Sequence, residues 1–104
     1  MIFRRVRFAE VIERQLDIFE RDEHHLVIEV QGRLEAYNAA DRDQAEELYG
    51  DYLDAVETGT EILADLRDGY AAALEEEVAE RYRAEFNRAV ARRLAPFALE
   101  IENR

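Results

Sequence analysis

Leu26-Val27-Ile28-Glu29-Val30 is the stretch on which the fold turns, because three β-branched residues in five also suit a strand. Its surroundings decide the matter. Upstream, Phe8, Ile12, Leu16 and Phe19 recur at helical spacing, and downstream Val30, Leu34 and Tyr37 continue it. Glu29 and Arg33 stand four apart with the acid first, the favourable order on a helix, as do Glu10/Arg14 and Asp17/Arg21. The segment therefore reads as helix, part of one apolar face running over about residues 4–38. Glu23 occupies the missing step of that face, and Gly32 weakens the helix by about 1 kcal/mol relative to alanine. The other reading is a kink at Arg21-Asp22-Glu23-His24-His25, with Asp22 capping a new helix and the chain closing into a four-helix monomer.

Beyond this helix the chain breaks at Asn38-Ala39-Ala40-Asp41, where Asp41 followed by Gln44 matches a capping box. A second apolar stripe runs through Ala45, Leu48, Tyr52, Val56, Leu63, Leu66, Tyr70 and Ala73, giving a helix over about 42–73. Gly59 falls on that stripe, either at a close approach or at a soft spot, whereas Gly50 and Gly69 lie off it. A third helix, about 76–95, carries Val78, Tyr82, Phe86, Val90 and Leu94, with Glu77/Arg81 four apart. Three glutamates at its start and Arg92-Arg93 at its end suit the helix dipole, and Pro96 stops it. The tail 96–104 alternates through Phe97-Ala98-Leu99-Glu100-Ile101-Glu102, and its conformation is left open. No repeat or linker divides the 104 residues, which read as a single all-α domain.

Composition narrows the function classes. The formal net charge of −11 argues against nucleic acid and against anionic lipid, since both need a local excess of cations. All 14 basic residues are arginine, and neither serine nor cysteine occurs, so Ser, Cys and Schiff-base Lys catalysis are ruled out. The N-terminus is basic, but Glu10, Glu13 and Arg14 interrupt any signal-type apolar run, and no stretch is long enough to span a bilayer. A cytoplasmic protein is expected.

Helix length then implies a partner. Helices over 4–38 and 42–73 would each be roughly 50 Å long, but the third only about 30 Å. An elongated antiparallel hairpin plus a shorter third helix, an arrangement like a three-helix bundle, leaves about half of the hairpin uncovered. The apolar side chains left there are Leu26, Val30, Leu34 and Tyr37 facing Leu48, Tyr49, Tyr52 and Val56, with Val27 and Leu53 beside them. A patch of that size is unusual on a monomer, and a second copy is the simplest cover. These eight residues are the expected interface of a homodimer or higher oligomer, with Tyr37, Tyr49 and Tyr52 as anchors. Charge agrees with the antiparallel topology, because Arg4, Arg5 and Arg7 would fall at the same end as Glu75, Glu76 and Glu77.

Two patterns carry possible metal chemistry. Glu10, Glu13, Asp17, Glu20 and His24 share one helix face, and Asp17, Glu20 and His24 are the candidates for holding a divalent ion. The plainer reading is a solvated acidic face. Separately, Glu10-x-x-Glu13 and Glu20-x-x-Glu23 resemble the first half of the motif in small all-α nucleotide pyrophosphohydrolases of the MazG kind. Such a resemblance implies Mg²⁺ held by paired acids on two helices and bridging substrate phosphates. The second half departs from the pattern, since Glu47 and Asp51 stand one residue too far apart and Asp51-x-x-Asp54 begins with the wrong acid. The expectation is therefore a non-catalytic helical protein acting through self-association or by binding another protein, without cofactor. The alternative is a divalent-metal-binding bundle or pyrophosphohydrolase-like enzyme on the acidic face.

Overall fold

The computed structural model describes residues 8–104, and among them all regular structure is helical. Helix α1 spans Ala9–Asp22, α2 His24–Asn38, α3 Arg42–Ala71 and α4 Glu76–Arg93; a 3-10 turn at Ala95–Phe97 leads into α5, Ala98–Glu102. Leu26-Val27-Ile28-Glu29-Val30 is helical, and the Arg33 Nε donates to Glu29 at 2.8 Å. The other acid-before-arginine pairs do not close. Asp17 is taken by Arg93 instead, and Arg21 turns to Asp22. The expected approach of Arg4, Arg5 and Arg7 to Glu75–Glu77 lies outside the described residues.

The first rod is not continuous. Glu23 leaves helical geometry at φ −113°, ψ 30°, and separates α1 from α2. Its N–H still donates to the Phe19 carbonyl, while its own carbonyl accepts from Leu26 and Val27. The bend has a sequence cause. A straight helix would carry Glu23 onto the seam between Phe19 and Leu26, both buried, and would desolvate a carboxylate there. Unwinding one residue keeps the acid half-exposed and restores the stripe on the far side. Neither expected side-chain cap forms. Asp41 sits at the N-cap of α3 in an extended conformation, but only its backbone carbonyl bonds onward, to Gln44 and Ala45.

The chain bends without folding back, and the molecule measures 64 × 24 × 19 Å. α3 is the spine. It packs against α2, α4 and the tail, whereas α1 lies mainly against α4 and α2 and reaches the spine through Gln15 Nε2, which donates to the Leu66 carbonyl at 3.5 Å. Phe8, Tyr70 and Tyr82 meet at the far end of the spine, with Phe8 and Tyr82 edge-to-face at 5.3 Å and Tyr70 and Tyr82 at 4.7 Å. The Tyr82 hydroxyl donates to Gln15 Oε1 at 2.7 Å, which satisfies the phenol while its ring is wholly buried. Burial pushes that hydroxyl up to about 12.

The tail resolves the alternation left open by sequence. Leu94, Phe97 and Ile101 are buried, at spacings of three and four, whereas Leu99 is 72% exposed. Phe97 packs edge-to-face on Phe19 at 5.9 Å, and its ring occupies the space beside Gly59, where any Cβ would overlap it. Gly59 therefore marks a close approach, made by an aromatic ring from the tail. Arg67 fixes the other end of the tail. Only 2% exposed, it donates from Nη1 to the Ile101 carbonyl and to Asn87 Oδ1, both at 3.0 Å, and from Nε to Asp68 at 2.9 Å. Every donor direction used is charge-assisted or aimed at an amide oxygen, which is what allows a guanidinium to sit in a core.

Candidate interaction surface

Past the tail, α2 and the first half of α3 form an arm of only two helices. Leu94, Pro96 and Phe97 reach as far as Val27, Val30 and Gln31, with which they enclose a cavity of about 90 Å³. Among the described residues, the main neighbour of α2 is α3.

The arm has two unlike flanks, because a helix turns about 100° per residue. On one flank Glu29 and Arg33 of α2 face Asp51, Asp54 and Thr58 of α3 across a cleft of about 230 Å³. Arg33 bridges it, 2.8 Å from Glu29 and 3.7 Å from Asp51. The opposite flank is apolar. By that rotation Val27, Gln31 and Leu34 fall on this side of α2, and Tyr49, Leu53 and Val56 on this side of α3. The tail closes its near end and leaves the rest bare. Tyr49 is 44% exposed and Leu53 39%, while Leu34, Tyr37, Leu48 and Tyr52 are half-buried. Three tyrosines cluster along the seam with their rings tilted against one another, Tyr37 to Tyr49 at 5.0 Å and Tyr49 to Tyr52 at 6.1 Å. Desolvation raises the Tyr52 hydroxyl above its ordinary value, with Tyr49 beside it as the lesser cause.

Of the eight expected interface residues, Leu26, Val30 and Val56 are buried within the chain itself. The α2–α3 seam and the tail cover them, and the tail's reach was the part not read from sequence. Leu34, Tyr37, Leu48, Tyr49 and Tyr52 remain on the arm, with Leu53 joining them.

The metal candidates come together differently from expectation. Asp17 and Glu20 do share a face, but both accept from Arg93 Nη2, a guanidinium reaching across from the end of α4. Arg93 is held above its ordinary value by these two carboxylates against the opposing effect of burial. His24 is exposed on the first turn of α2, across the bend at Glu23. Among the described residues no three His, Asp or Glu side chains are placed to hold one ion. The acids of the pyrophosphohydrolase-like pattern are also dispersed. Glu13 lines a cleft of about 320 Å³ between α1 and α4, rimmed by Arg88, Arg92 and Arg93, while Asp51 and Asp54 face α2.

No helix among the described residues is long and apolar enough to cross a membrane. Compared with known protein families, with curated proteins and with solved structures, the chain matches none.

Proposed function

We propose that this protein is a non-catalytic interaction module whose working surface is the bare apolar flank of the α2–α3 arm. One observation carries the reading: the flank that the tail covers beside the bundle continues along the arm with Tyr49 and Leu53 exposed and Leu34 half-buried between the helices. Burying such side chains is favourable by about 25 cal/mol per Å² of apolar surface, and rigid tyrosines lose little entropy when they dock. A second copy is one occupant. Two hairpins meeting along their arms complete a four-helix layer, so that the antiparallel hairpin and its shorter third helix gain their missing cover by dimerisation.

Light scattering on the purified chain tests this. Association that is lost in Tyr49→Ser with Leu53→Ser, while helicity is kept, supports self-association through the flank. A chain that stays monomeric removes the second copy as occupant. Divalent-metal chemistry on the acidic face would require an ion to displace Arg93 from Asp17 and Glu20. Stoichiometric metal in the purified protein, lost in Glu20→Ala or His24→Ala, would transfer the function to that face.

A further inference from the structure

Charge is unevenly distributed over the molecule. Residues 24–57, the arm, hold nine carboxylates against two arginines, Arg33 and Arg42. Arg33 is already engaged by Glu29 and Asp51 on the polar flank. Outside the arm the other twelve arginines stand against sixteen carboxylates, and some of them close ion pairs: Asp17 and Glu20 with Arg93, and Asp68 with Arg67 and Arg83. On the arm, Glu35, Glu46 and Glu57 are exposed beside the bare apolar flank, and none has an ion-pair partner among the described residues. Glu46 and Glu57 stand three and four residues from Tyr49 and Leu53, on the same side of α3. The flank is thus an apolar strip with an acidic border that nothing in the bundle answers.

We infer that the arm is a docking site for a basic amphipathic helix of another protein. Its apolar face would lie on Leu34, Tyr49 and Leu53, with Lys or Arg side chains over Glu35, Glu46 and Glu57. The inference rests on the interaction reading above and names the partner's chemistry. The strip supplies the anchors, and the border supplies orientation and a fast encounter. A second copy fits the strip but not the border, because two arms meeting face to face bring like charges together and are pushed apart at low salt. Self-association is accordingly the weaker use of this surface, given up when the basic helix arrives.

The test uses the full chain and a labelled Leu/Lys peptide of about five helical turns with one apolar face. Two controls accompany it: the same composition scrambled so that no face forms, and the amphipathic peptide with Glu in place of Lys. Anisotropy titration should show the amphipathic basic peptide binding at least about tenfold more tightly than either control. Binding should weaken several-fold as salt rises from about 0.05 M to about 0.3 M. Tyr49→Ser with Leu53→Ser should cost roughly tenfold, and Glu46→Gln with Glu57→Gln should flatten the salt dependence. Equal binding of the scrambled peptide, or indifference to Tyr49→Ser with Leu53→Ser, would mean charge attraction alone and overturns the inference. So does a dimer, lost in that double variant, that the peptide fails to displace; in that case the interaction reading survives with a second copy as occupant. If neither peptide binding nor self-association responds to the two substitutions, both readings fall together.

Discussion

The ring of Phe97 lies where a side chain on Gly59 would have to be, so a residue of the tail and a residue of the spine occupy one volume between them. Gly59→Ala should therefore destabilise the protein by about 1–3 kcal/mol through overpacking. Phe97→Leu should recover part of that loss in the double variant. Gly32 has open space around its α-carbon in the middle of α2, and Gly32→Ala should instead stabilise by about 0.5–1 kcal/mol. Urea unfolding of the two alanine variants checks both signs in one experiment.

Arg67 is the second attachment of the tail. Arg67→Met keeps the volume but leaves the Ile101 carbonyl and Asn87 without their donor, and should cost about 3 kcal/mol. Loss of the latch should speed amide exchange in 98–102 more than on the arm. Equal acceleration everywhere would show that Arg67 supports the bundle as a whole and does not act on the tail in particular.

Two groups link stability to pH in opposite directions. The Arg67 guanidinium, followed by Arg83, holds the Asp68 carboxyl below its ordinary value. Its contribution is present above the unfolded aspartate range and is lost as pH falls below about 4. Asp68→Asn should flatten the acid side of the stability profile. Tyr82 runs the other way: raised to about 12 by burial, it stabilises the fold below the ordinary tyrosine value of about 10. That contribution is lost as pH climbs from there through its folded value. Near-ultraviolet titration should show a late-ionising tyrosine that is absent from Tyr82→Phe.

Exposure separates the tyrosines by role. Tyr49→Ser should change unfolding free energy by no more than about 0.5 kcal/mol, as for surface positions generally. Tyr82→Ala removes a buried ring and the hydroxyl bond to Gln15, and should cost about 3–5 kcal/mol. Thermal or urea melts of the two variants make the comparison.

Periodicity made most of the core legible. Ile12, Leu16, Phe19, Val56, Leu63, Tyr82, Phe86 and Val90 are buried where the stripes place them. The failures have a common origin, in that stripes report neighbours along one helix and say little about what arrives from elsewhere. The tail looked alternating because Leu99 interrupts a face that in fact repeats at three and four. Arg67 stands four residues after Leu63 and four before Ala71, both buried, so its place on the buried side was present in the spacing. What could not be read was the carbonyl of Ile101 that makes it tolerable there. The break at Glu23 was visible as a polar residue in an apolar series, but spacing alone did not choose between a bend and a straight helix. On the arm the same rule worked in reverse. The apolar residues were found, and which of them lie bare depended on how far the tail extends.

α3 runs unbroken from Arg42 to Ala71, through arm and bundle alike. The one-residue unwinding at Glu23 is confined to the opposite strut, so the arm cannot swing unless the spine itself flexes. A partner seated near Tyr49 is then held about 30 Å from the aromatic cluster at Tyr70, at a fixed angle, as a mast holds a flag. The spacing between the two ends of the spine is thus set by one unbroken helix, whatever the shorter helices beside it do.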